Sequence, residues 1–206
     1  MRSAAILAGG RAMRFGGRDK SVLVVDGRPI VERQVAELSS IVDDIMIVGA
    51  RADGAAADGA RAFQASDRCR FIADIVPGCG PLGGLHAALT EMRGDRVLAV
   101  ACDMPYVDAA FAEYLLSLAG DAAVVVPQTD RGYHPLCAVY TRACLEPISA
   151  RLAQRRLALR DLFADVPTRT VTEAEMSRFG APSRLLANVN TPAEYAGLDA
   201  LQSHKP

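Results

Sequence analysis

Short apolar runs rich in β-branched residues alternate along this 206-residue chain with stretches whose apolar positions recur at helical spacing. A strand covered on both faces reads as a continuous apolar run, and parallel neighbours need a long crossover between them, usually a helix. The pattern therefore restricts the chain to the α/β class with a mainly parallel sheet. It predicts strands over Ala4 to Ala8, Ile45 to Val48, Arg70 to Ala73, Val97 to Ala101 and Ala122 to Val126. Extended pieces are expected at Ser21 to Val25, turning at Asp26-Gly27, and at Leu136 to Tyr140. Helices should follow Pro29, with Ile30, Val31, Val35 and Leu38 on one stripe, and cover Leu82 to Met92, Val107 to Leu118 and Thr141 to Ala153. Gly80-Pro81 suits a helix opening, since proline fits the first turn. Gly49 to Asp67 is rich in alanine, glycine and aspartate and reads as a loose loop with a short helix. Arg151 to Arg160 carries four arginines and reads as a solvated helical face. Thr191-Pro-Ala-Glu194 has the cap, proline and acid of a last helix start. No repeat or linker divides the chain, so one domain over residues 1–206 is expected.

Composition narrows the function classes. Half of the residues are hydrophobic and 23% are charged, as in a globular domain, and the formal net charge is -1. No global field draws such a chain to nucleic acid or to an anionic membrane, so any phosphate recognition must be local. The apolar runs are far shorter than the ~20 residues of a transmembrane helix, and only five apolar residues precede Gly9. A cytoplasmic chain beginning at Met1 is the expectation. Five cysteines at irregular spacing, without a Cys-x-x-Cys pair, signal neither a disulfide framework nor a zinc site. They read as buried thiols, with Cys79 the one expected to be exposed in a loop.

The strongest chemical signal is Leu7-Ala-Gly-Gly-Arg-Ala-Met-Arg-Phe-Gly-Gly-Arg-Asp-Lys20, directly after the first strand. Loops at the carboxyl edge of an open α/β sheet are where ligands bind. Two glycine pairs let the backbone approach a phosphate, while Arg11, Arg14, Arg18 and Lys20 face a single carboxylate, Asp19. The spacing matches neither the dinucleotide fingerprint nor the P-loop. The chain has 21 arginines but only two lysines, and Lys20 is the internal one. A compact ammonium with three donors suits a position that bridges phosphates. The competing reading is a solvated glycine-rich turn.

Asp103, just past the apolar run Val97 to Ala101, is the second signal. A carboxylate there can hold Mg2+ together with phosphate oxygens, although a turn aspartate is the simpler alternative. Asp74 is a similar candidate for nucleotide contact. Gly78-Cys-Gly-Pro-Leu-Gly-Gly84 opens a helix whose amino end suits an anion or a base edge. His134, Asn188 and Asn190 could meet a second substrate, or be a structural histidine and part of a helix cap.

Together these motifs resemble a known family. Leu7-Ala-Gly-Gly-x3-Arg14-x-Gly-Gly-x-Asp-Lys20 is similar to the signature loop of nucleotidyltransferases. With Pro77-Gly-x-Gly-Pro-Leu-Gly-Gly84, Cys102-Asp103-Met-Pro105, His134-Pro-Leu136 and Asn188-Val-Asn-Thr-Pro192, the set resembles the molybdenum cofactor guanylyltransferases. The resemblance implies a Rossmann-like three-layer sandwich whose sheet is mostly parallel with one antiparallel strand. It also implies transfer of GMP from Mg-GTP to the terminal phosphate of molybdopterin, with release of pyrophosphate. Leu7, Ala8, Gly9 and Gly10 would line guanine and ribose, Asp74 would contact the nucleotide, and Asp103 would hold Mg2+. Lys20, Arg14 and Asp103 would form the catalytic set, while His134, Asn188 and Asn190 would face the pterin. The nucleotide half would run to about residue 105 and the acceptor half from there to residue 206. Implied partners are GTP and the molybdenum cofactor, then molybdenum-insertion proteins and apo-molybdoenzymes, with no nucleic acid and no membrane. One departure stands out: an asparagine is expected after the second strand, and Gly49-Ala50 stands there. Rival readings are a cytidylyltransferase and a non-catalytic GTP-binding cofactor carrier.

Overall fold

A computed structural model describes residues 1–8, 23–50 and 69–189. Its first strand, β1 (Ser3–Leu7), is buried at every position. Alternate side chains serve opposite sides: Ala4 and Ile6 join one apolar core, Ala5 and Leu7 the other. Burying one such large aliphatic side chain stabilises the fold by roughly 1.5–3 kcal/mol. That two-sided burial is why the sequence shows a run here instead of an alternation.

Next come the short antiparallel pair β2 (Val24–Val25) and β3 (Arg28–Pro29), then helix α1 (Ile30–Leu38). Asp26 and Gly27, both at positive φ, make the expected turn between β2 and β3. The order continues β4 (Asp44–Ala50), β5 (Cys69–Ala73), α2 (Gly80–Glu91), β6 (Arg96–Ala101), α3 (Ala109–Ser117) and β7 (Val124–Thr129). It ends with β8 (Gly132–Tyr133), β9 (Cys137–Thr141), α4 (Leu145–Ala153), β10 (Thr168–Val171), α5 (Glu173–Met176) and α6 (Pro182–Leu185).

The main sheet has the order β10-β7-β9-β6-β1-β4-β5, with β8 paired to β7. β6, β1, β4 and β5 run parallel, and β9 lies antiparallel to both β6 and β7. This is the Rossmann-like arrangement the motifs imply, and the extended piece near Leu136 is the antiparallel strand. The hairpin strand β8 adds a second antiparallel pairing. Side chains of α1 and α3 pack into the core on one face, and those of α2 and α4 into the core on the other. No helix among the described residues is long and apolar enough to cross a membrane.

Two expectations are corrected. Cys79 is buried, at 1% exposure, because it caps α2 and packs against the core beneath that helix. The basic stretch is not one solvated helix: α4 stops at Ala153, and Arg155 takes a positive φ of 56°. Arg151 is buried and ion-paired to Asp165, while Arg155, Arg156 and Arg160 are exposed. Most of Gly49 to Asp67, and the expected helix start at Thr191, lie outside the described residues.

Candidate active site

Four parallel strands end level, which gives the molecule one loaded edge. Leu7 is in register with Val48 of β4 and Ala101 of β6, and Val48 with Ile72 of β5. Beyond the ladder, the Ala8 amide donates to the Val48 carbonyl at 2.8 Å, and the Cys102 amide to the Leu7 carbonyl at 3.2 Å. Asp74 follows β5, Asp103 follows β6 by two residues, and the glycine-rich loop leaves β1 between them. Three strand spacings separate β5 from β6, roughly 14 Å. Gly9, Gly10, Arg14 and Lys20 lie outside the described residues, while Leu7 is buried and Ala8 half-buried at the point of departure.

Asp74 belongs to a close contact with α2. A methyl group placed on Gly84 would stand 3.4 Å from Leu7 Cδ2, 3.7 Å from Val48 Cγ1 and 3.8 Å from Asp74 Oδ1. The helix thus lies over the ends of β1 and β4, beside the carboxyl. Burial pushes the Asp74 carboxyl above the ordinary carboxylate range. A half-buried carboxyl of this kind suits the N–H edge of a ligand, which would replace the solvation that burial removes. Just ahead, Gly78 and Gly80 sit at φ of 77° and 58°, so the turn into α2 uses the left-handed region.

At the other end of the edge, Asp103 rides on a tightly held turn. The Met104 amide donates to the Ala101 carbonyl at 3.2 Å, and the Val189 amide to the Asp103 carbonyl at 2.9 Å. The last bond brings exposed Asn188 alongside Asp103; Asn190 lies outside the described residues. From α1, Gln34 Nε2 donates to the carbonyls of Ala101 (2.8 Å) and Met104 (2.9 Å), and Arg33 Nε to that of Pro105 (3.3 Å). Tyr106, under the Arg184 guanidinium at 4.0 Å, packs with Val25, Ile30 and Val189 in a small separate core. That core ties together the segment after the glycine-rich loop, the Asp103 turn and the Asn188 segment.

No group of three or more metal-ligating side chains occurs among the described residues. Single oxygen donors at a sheet edge do not make a resident metal cage. They do fit Mg2+, which takes one or two carboxylates and completes its shell with phosphate oxygens and water.

His134 sits in the connection from β8 to β9, on the same edge. Its amide donates to the Pro127 carbonyl at 2.9 Å, and the Ala101 amide donates to Leu136 at 2.9 Å, joining this turn to the end of β6. The buried Tyr140 hydroxyl holds the Pro135 carbonyl at 2.7 Å. His134 Nε2 lies 2.9 Å from Thr129 Oγ1. Burial first, and Arg131 next, lower the imidazole below its usual value against the opposing pull of Glu173, a shift that favours the neutral ring. A neutral ring there is a hydrogen-bonding contact rather than a counter-ion.

The described part of the predicted site therefore converges: Leu7, Ala8, Asp74, Asp103, His134 and Asn188 all lie along one edge. Gln34, a polar residue inside the apolar stripe of its helix, joins this edge through its bonds to Ala101 and Met104.

Known proteins resemble this chain in sequence and in fold. The MobA-like NTP transferase domain matches residues 4–171. A molybdenum cofactor guanylyltransferase from Desulfosudis oleivorans is 32% identical over 95% of this chain and 93% of its own. The fold matches molybdopterin-guanine dinucleotide biosynthesis protein A from Archaeoglobus fulgidus with a TM-score of 0.81, at 22% identity over 100% of both chains. A Mycobacterium tuberculosis protein crystallised with manganese matches with a TM-score of 0.60, at 16% identity over 83% of this chain and 87% of that one.

Proposed function

From the premise that this chain belongs to the MobA-like NTP transferase family and is a nucleotidyltransferase, we propose that it transfers GMP from Mg-GTP to the terminal phosphate of molybdopterin. Pyrophosphate is the second product. The observation that carries the reading is the level edge: Asp74 follows β5 and Asp103 follows β6, on either side of the strand that feeds a glycine- and cation-rich loop. Residues to about 105 then form the nucleotide half and the rest the acceptor half.

In this reading Asp74 meets the nucleotide near Leu7, Ala8, Gly9 and Gly10, and Arg14 and Lys20 bind its phosphates. His134, Asn188 and Asn190 orient the acceptor. The attacking phosphate oxygen is already an anion at neutral pH, so no side chain need remove a proton from it. Catalysis reduces to aligning that oxygen with the α-phosphorus and neutralising the leaving pyrophosphate. Lys20 supplies a point charge for the second task. Mg2+, held by Asp103 when bound, supplies further neutralisation of the phosphates. GTP and the molybdenum cofactor are thus the proposed substrates, molybdenum-insertion proteins and apo-molybdoenzymes the proposed protein partners, and the cytoplasm the proposed location.

A second reading is CMP transfer to the same acceptor, since one departure bears on how strictly guanine is selected. Gly49 stands at a β-bulge with φ of 103°, where an asparagine side chain is expected to contact the nucleotide. Pyrophosphate release from GTP, CTP, ATP and UTP with Mg2+, with and without molybdopterin, separates the readings. Release requiring GTP and the pterin supports GMP transfer; pterin-dependent release with CTP moves the base. GTP binding without release from any nucleotide, given a competent pterin preparation, leaves the non-catalytic carrier.

A further inference from the structure

We propose that Gln34 is a positioning residue for the metal-binding carboxylate of Asp103, an inference that rests on the functional reading above. The buried stripe of α1 is apolar at Ile30, Val31, Val35 and Leu38, and Gln34 interrupts it at 1% exposure. An amide nitrogen carries two hydrogens. Gln34 gives them to the carbonyls of Ala101 and Met104, at 2.8 and 2.9 Å, which flank Cys102-Asp103. One side chain thereby fixes both ends of the short turn that carries Asp103 beyond β6.

The other half of the amide argues against simple core filling. Gln34 Oε1 is buried and has no hydrogen-bond partner among the described residues. A buried acceptor without a partner is unfavourable, so a side chain serving only to fill the core would be better apolar. The amide is aimed at the turn at the expense of its own oxygen. Its neighbour Arg33 reinforces the hold by donating from Nε to Pro105, and Val189 grips the Asp103 carbonyl from the far side. Asp103 is thus placed from three directions, and the Gln34 side chain bonds to a residue on either side of it. An ion shared between one carboxylate and phosphate oxygens depends closely on where that carboxylate stands, as groups that orient metal ligands show elsewhere.

Gln34→Met keeps the length and shape of the side chain but donates nothing; Gln34→Glu puts an acceptor against two carbonyls. The test titrates Mg2+ into the full-length protein with GTP and reads nucleotide affinity by calorimetry, beside a thermal melt of each variant. Both variants should need about tenfold more Mg2+, or beyond, for half-maximal tightening of GTP binding. In an Asp103→Ala background, Gln34→Met should change neither the GTP affinity nor its remaining Mg2+ dependence. An unchanged Mg2+ requirement in the folded single variants overturns the inference, and so does an equal loss in both backgrounds. Wild-type protein whose GTP binding ignores Mg2+ overturns the functional reading, and the inference with it.

Discussion

The same methyl group added to two adjacent glycines of α2 should have opposite effects. Inside a helix, alanine is favoured over glycine by roughly 0.8–1 kcal/mol. On Gly84 the new carbon would lie 3.4 Å from Leu7 Cδ2 and further from Val48 and Asp74, ordinary contact distances, so Gly84→Ala should keep most of that gain. On Gly83 it would lie 3.0 Å from both Cys79 Cβ and the Val76 carbonyl oxygen. Neither can swing aside, because one is fixed to the backbone and the other is part of it. Overpacking of this kind costs about 1–3 kcal/mol, which cancels or exceeds the propensity gain. The two variants should therefore differ by about 1–3 kcal/mol, or roughly 2–12 °C in Tm for a chain of this size. Thermal melts by circular dichroism, under one buffer condition and without nucleotide, give the comparison. Gly83→Ala melting with or above Gly84→Ala would refute the packing argument.

Other expectations follow from the same geometry. Asp74→Asn should stabilise the protein while weakening nucleotide binding: a carboxyl raised by burial makes the fold lose stability as pH rises from its unfolded value through its folded one, and the amide removes that loss. Urea midpoints across this range and a GTP titration check both halves. Glu175, held down to about 2 chiefly by the Thr172 amide and then by Arg169 and Tyr114, contributes stability above its ordinary value of 4.5 that disappears as pH falls toward 2. Glu175→Gln should flatten the acid limb of a urea-midpoint profile. Lys20→Ala and Asp103→Ala should each lower the turnover rate by ~100-fold or more, and losses below tenfold in both would remove them from the mechanism. Cys137 and Cys144, their thiols pushed by burial to about 12, should resist alkylation at pH 8 until the protein unfolds, which mass spectrometry can follow.

The parts of the fold legible in the sequence are those buried on both sides. β1, β4 and β6 sit inside the sheet, so their apolar runs carry a signal that turns and polar flanks cannot imitate. β10 is an edge strand of Thr168-Arg-Thr-Val171, three of its four residues polar, and β8 has two residues, so neither stands out. The candidate site was legible where a residue type stands in the right place after a strand, as at Asp103 and Asp74, which follow β6 and β5 on one edge. It was not legible where a contact depends on distant chain. Cys79 looked loop-like among its glycines and proline, yet packs under α2, and Arg151 looked like one more surface cation, yet is buried against Asp165. Gln34 works through carbonyls at residues 101 and 104, a pairing across 67 and 70 positions that no local pattern encodes.

The central claim is transfer of a nucleoside monophosphate to the pterin, and labelled substrate tests it most directly. The protein is incubated with Mg2+, molybdopterin and GTP labelled at the α-phosphate, and the products are separated. The account predicts that the label moves into a pterin dinucleotide and that the move needs both Mg2+ and Asp103. Label that stays in GTP, or appears only as free GMP or GDP while the pterin is unchanged, would contradict it.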